Sequence, residues 1–115
     1  MKIIIFDIDE TICKTNKLNY DSSKPIKNKI LLINKLYEKG HIIKLFTARY
    51  MGRYKGNVHL IEKKFYRKTK KQLKDWGLKF HELIMGKPLY DIFVDDKAYN
   101  VKDKKLKKIF LQNLK

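Results

Sequence analysis

A chain of 115 residues holds one domain with a real core and no room for a second. No apolar run approaches about 18 residues, which argues against a membrane span. The apolar start at Ile3 lacks the length and cleavage site of a signal peptide, so a cytoplasmic location is expected. The formal charge of +16 is nearly all lysine, with 25 Lys against three Arg (Arg49, Arg53, Arg67). Surfaces that read phosphates and bases recruit the forked guanidinium, so this balance reads as a solvated face that attracts phosphorylated substrates in general and does not favour nucleic acid.

Met1 to Thr11 reads MKIIIFDIDET. Ile3 to Phe6 is an unbroken apolar run, the pattern of a central strand buried on both faces, and it ends in acid at Asp7 and Asp9. Where the strand gives way to a loop, the two carboxylates can converge on one small volume, at the strand end where open α/β sheets place their ligands. Lys14 to Lys24 reads as a polar loop. Pro25 then opens a helix, with Ser22 or Ser23 available near its cap and an apolar stripe at Ile26, Ile30, Ile33 and Tyr37. Gly40 stops it. His41 to Thr47 is a second buried strand, so the pair forms a right-handed βαβ unit.

Ala48 to Asn57 is irregular and basic. Val58, Ile61, Phe65, Leu73 and Trp76 mark a second helix ended by Gly77, and Leu78 to Met85 is a third strand. After the loop Gly86-Lys87-Pro88, Tyr90 to Val94 is expected as a fourth strand, again ending in acid at Asp95 and Asp96. The lysine-rich remainder finishes in a short helix or strand around Leu106 to Leu111. Cys13, the lone cysteine, permits no internal disulfide and reads as a small core residue. The histidines are scattered and none reads as a metal ligand.

Only 12 residues are acidic, yet Asp7, Asp9, Glu10, Asp95 and Asp96 sit just beyond two strands. If those strands are adjacent, four aspartates crowd one site, and a divalent cation resolves the repulsion. Carboxylate donors without a His or Cys cluster favour a hard ion, and phosphate chemistry favours Mg2+. The plainer reading is that each pair caps a turn.

Asp7-Ile8-Asp9-Glu10-Thr11 matches the DxDxT signature of the haloacid dehalogenase-like (HAD) phosphohydrolases, and three further motifs follow in that family's order. Thr47 resembles the motif II hydroxyl residue, Lys87 the motif III lysine and Asp95-Asp96 the acidic motif IV. The stretches Thr47 to Arg49, KQLKDWG, HELIMGKPLYD and DDKAYN resemble a capless subgroup known as capsular polysaccharide biosynthesis phosphatases. The resemblance implies an α/β fold: a single Rossmann-like three-layer domain over residues 1–115 with a mainly parallel sheet.

It also implies a Mg2+-dependent phosphomonoesterase. Asp7 would be the nucleophile that forms an aspartyl-phosphate, and Asp9 the general acid and then base, which needs a pKa near neutrality. Thr47 would hydrogen-bond a phosphoryl oxygen, and Lys87 would offset charge. Magnesium would be held by Asp7, the Asp9 carbonyl and Asp96 directly, with Asp95 acting through water. Glu10, in place of the family's common glycine, narrows the site entrance. Glu10, Thr11, Ala48 and Arg49 are candidate substrate contacts, although Arg49 and Tyr50 read equally well as a solvated loop.

Neither the dozen residues between Thr11 and Pro25 nor the 39 between Thr47 and Lys87 leave room for a cap. An open site implies a large substrate, closure by a neighbouring subunit of a homo-oligomer, or a short lid, for which Ala48 to Asn57 is the candidate. A sugar phosphate in polysaccharide precursor synthesis is the leading substrate. The alternatives are a polynucleotide phosphatase, a phosphoacceptor signalling domain, which would need an aspartate that His41 to Thr47 does not offer, and a catalytically silent binding module.

Overall fold

The computed structural model describes residues 1–115. Strand β1 (Ile3–Phe6) is followed by a hairpin of β2 (Cys13–Asn16) and β3 (Asn19–Pro25), then α1 (Lys27–Glu38), β4 (Ile42–Thr47), α2 (Val58–Asp75), β5 (Glu82–Met85) and α3 (Lys104–Asn113). β1, β4 and β5 form a parallel sheet in that order, and β2 and β3 form a separate antiparallel pair. The result is a mixed α/β domain with a mainly parallel sheet.

The parallel register pairs Ile3 with Ile42 and Phe6 with Leu45, and Lys44 with Glu82 and Thr47 with Met85. Side chains alternate across the sheet, so Phe6, Ile43, Leu45, Leu83 and Met85 share the fully buried side with Ile30, Ile33, Leu36, Ile61 and Leu73 of the helices. α3 joins this core through Phe110, whose ring lies 5.8 Å from that of Phe6. The opposite side is only partly covered, and β1 departs from the expected central strand: it is an edge strand, with Ile3 and Ile5 61% and 57% exposed.

Both long helices fall where their periodicity puts them. α1 starts two residues after Pro25, without a side-chain cap. Ser22 and Ser23 are occupied elsewhere, Ser22 Oγ donating to the Asn19 carbonyl and Ser23 Oγ lying 2.6 Å from Thr15 Oγ1. Asn57 caps α2, its side chain accepting from the Leu60 amide. The third strand is shorter than expected. Residues 78–81 serve as its approach, with the Lys79 amide on Asn34 Oδ1 and the His81 amide on the Ile43 carbonyl.

Two further expectations are corrected. The stretch read as a polar loop is the β2–β3 hairpin, turning over Lys17 and Leu18 between the paired Asn16 and Asn19. Lys17 takes φ +55°, a conformation normally signalled by Gly or Asn, so the turn carries no mark in the sequence. The fourth strand, Tyr90 to Val94, does not form. Residues 88–100 are exposed and irregular, with Ile92 82% and Val94 90% exposed. The reason is reach: the Lys87 amide is tied to the Thr47 carbonyl at the carboxyl end of β4. A parallel neighbour of β1 must begin at the other end of a strand about 13 Å long. The three Cα steps from Lys87 to Tyr90 span at most about 11 Å, where parallel connections ordinarily take a dozen residues or more.

Candidate functional site

The carboxyl ends of β1, β4 and β5 bring together most of the residues singled out above. Asp7 follows β1 directly; Thr11 Oγ1 donates to its Oδ2 at 3.3 Å, and Lys87 Nζ stands 3.6 Å from its Oδ1. The Lys87 side chain is 12% exposed, held between Asp7 and the rings of Tyr90 and Phe93, whose centroids lie 5.2 and 5.6 Å from Nζ. Its position depends on Gly86, which turns at φ +94° so close to Val58 that an added Cβ would sit 2.8 Å from both Val58 methyls. The 3.0 Å bond from the Lys87 amide to the Thr47 carbonyl fastens this loop to the end of β4. Thr47 is buried, and its Oγ1 accepts the Arg49 amide at 3.1 Å, which leaves the hydroxyl proton to donate.

Asp9 is engaged by a second cluster. Its Oδ1 accepts from Arg49 Nη2 at 2.9 Å, from Arg49 Nε at 3.2 Å and from Thr15 Oγ1 at 2.5 Å, with Cys13 Sγ at 3.6 Å. Its Oδ2 accepts only from Arg49 Nε, at 2.9 Å. Arg49 is 2% exposed, so the solvated-loop reading of this residue is corrected. The remaining guanidinium group, Nη1, donates to Gln72 Oε1 at 2.6 Å, and the cation lies over the Tyr20 ring. Burial presses its pKa down, but the hydrogen bonds and charge of Asp9 outweigh that and raise it. Burial also pushes the Cys13 thiol up, which keeps it a neutral core group beside Asp9.

Glu10 sits at φ +63°, which explains physically why glycine suits this position, and its carboxylate turns toward the hairpin. The Thr15 amide and then Lys14 lower its pKa. Tyr50 is buried too, stacked on Phe65 at 3.7 Å and held at φ +69°. Within Ala48 to Asn57, the segment expected as a lid, Arg49, Tyr50 and Met51 belong to the interior, whereas Gly52, Arg53 and Lys55 to Asn57 are exposed.

The acidic motif near the end of the chain does not join this site. Asp95 and Asp96 are exposed, with the Asp95 carboxylate accepting the amide of Lys97, two residues on. No three His, Cys, Asp or Glu side chains gather into a group able to hold a metal ion. With Asp7 on Lys87 and Thr11 and with Asp95 and Asp96 not gathered beside it, the donors as folded do not fit a magnesium site. Thr15, Ser23 and Gln72, which complete the Asp9 and Arg49 cluster, carry no signal in the sequence, because only the hairpin and α2 packing bring them together.

No family model matches the chain, and no curated protein matches it. Among solved structures it is similar to a structural-genomics target protein from Vibrio cholerae, with a TM-score of 0.82 and 25% identity, covering 99% of this chain and 97% of that one. That likeness concerns the architecture, since the description of the Vibrio protein names no activity.

Proposed function

We propose that this chain is a phosphomonoesterase of the capless HAD type, working through an aspartyl-phosphate on Asp7, with a sugar phosphate of polysaccharide precursor synthesis as its substrate. The three-layer Rossmann-like arrangement of that type belongs to the same proposal. The observation that carries the reading is the 3.6 Å approach of Lys87 Nζ to Asp7 Oδ1, two residues 80 positions apart that the motif order had already paired. The bond between Lys87 and Thr47 and the open face at Asp7, whose side chain is 35% exposed, support it further.

The Asp7 carboxylate attacks phosphorus, an O–P bond forms as the bond to the leaving oxygen breaks, and that oxygen takes a proton from Asp9. Water then gives a proton to Asp9, attacks the phosphoryl group and returns Asp7 as a carboxylate with release of phosphate. Lys87 neutralises charge on the nucleophile and the transferring group, and the Thr47 hydroxyl donates to a phosphoryl oxygen. Magnesium enters this proposal only with movement of Asp95 and Asp96 toward Asp7, since the donors as folded do not form its site.

Phosphate release from a panel of sugar phosphates, nucleotides and phosphorylated oligonucleotides tests the reading, with and without magnesium. Release concentrated on sugar phosphates, reduced at least about a thousandfold in Asp7→Asn, is the expected result. Activity of Asp7→Asn near wild type would overturn the mechanism, and release concentrated on oligonucleotides would replace the substrate class.

A further inference from the structure

The two carboxylate oxygens of Asp9 have unlike surroundings. Oδ1 is turned inward, where it takes two nitrogens of Arg49 and the Thr15 hydroxyl, with the Cys13 thiol beside it. Three close donors fill the directions available to one carboxylate oxygen. Oδ2 takes a single donor, Arg49 Nε at 2.9 Å, and keeps a free lone pair. The Asp9 side chain is 23% exposed while that of Arg49 is 1% exposed, so Asp9 is the member of the pair that solvent reaches.

Arg49 is itself immobilised from four directions. Its amide is on Thr47 Oγ1, Nη1 is on Gln72 of α2, Nη2 lies 3.4 Å from Ser23 Oγ of β3, and the Tyr20 ring covers its face. Gln72 in turn donates to the Tyr20 carbonyl at 2.7 Å, closing the frame between helix and hairpin. Such a fork cannot rotate without breaking several charge-assisted bonds at once.

We infer that Arg49 is a positioning residue: it fixes the Asp9 carboxylate with Oδ1 locked inward and presents Oδ2 as the oxygen that exchanges a proton with the substrate. Thr15 completes the lock on Oδ1. The inference rests on the reading of Asp7 as nucleophile and Asp9 as proton carrier. What it adds is the selection of one oxygen and the residues that select it.

Two substrates that differ in their need for an acid provide the test. p-Nitrophenyl phosphate leaves as a stabilised phenolate and needs little protonation, whereas a sugar phosphate leaves as an alkoxide and needs a full proton transfer. Arg49→Gln, Arg49→Lys and Thr15→Val are compared with wild type on both, after circular dichroism shows the variants folded. Arg49→Gln is expected to lower kcat on the sugar phosphate by about a hundredfold and on p-nitrophenyl phosphate by less than about tenfold, with KM little changed. Thr15→Val gives the same pattern more weakly, and it keeps the test alive should Arg49→Gln fail to fold. Arg49→Lys, which has the charge without the fork, resembles Arg49→Gln. Equal losses on both substrates would reduce Arg49 to a structural role and overturn the inference while leaving the reaction standing. A wild-type protein that hydrolyses neither substrate would remove the reaction, and the inference with it.

Discussion

Thr69 on α2 is 1% exposed, and its Oγ1 has no hydrogen-bond partner, the one buried side-chain polar atom in that condition. A buried hydroxyl left without a partner costs about 1–3 kcal/mol, and valine keeps the same shape and a similar helix propensity. Thr69→Val is therefore expected to stabilise the fold by about 1 kcal/mol, seen as a higher urea midpoint at unchanged m-value. A loss of stability would mean that water satisfies the hydroxyl in solution. At the same scale, the candidate site was only partly legible in the sequence. Asp7 and Lys87 are named by local motif and order, which survive without knowledge of packing. Arg49 is not: on a polar, glycine-containing stretch a basic residue looks solvated, and its burial is created by Tyr20, Ser23 and Gln72 from other elements.

Elements with strong period were legible, and those defined by turns or long-range pairing were not. α1 and α2 carry apolar stripes that coincide with their buried faces. The hairpin hides behind Lys17, and Tyr90 to Val94 has the composition of a strand without the connection to become one. Composition reports what a segment would bury, whereas chain reach decides whether it arrives. Closure of Asp95 and Asp96 on Asp7 does not need that strand, since Phe93 already contacts the Lys87 ammonium that faces Asp7. Should that closure complete a magnesium site, millimolar magnesium slows amide exchange across residues 90–96 and raises Tm. Unchanged exchange and unchanged Tm would take magnesium out of the proposed reaction.

Over the whole molecule, a charge of +16 on 115 residues sets attraction against self-repulsion. Seven ion pairs are formed, but only those of Arg49 with Asp9 and Lys87 with Asp7 are substantially shielded from solvent. Exposed pairs contribute about 0–1 kcal/mol each and are weakened by salt, while unpaired lysines repel across longer distances that salt also screens. The repulsion is densest at the end of the chain, where residues 97–115 hold seven lysines against Asp103 alone. α3 in that segment rests on the core through Phe110, with Leu106 and Leu114 packed beside it and the Asn113 carbonyl on His41 Nε2, modest contacts to hold against such a charge. Raising sodium chloride from about 10 to 150 mM shortens the screening length from about 30 to 8 Å, which relieves many repulsions and weakens five surface attractions. Tm is therefore expected to rise with salt, and amide protection in α3 to rise before that in β4. A Tm that falls over the same range would show that the surface pairs outweigh the lysine excess.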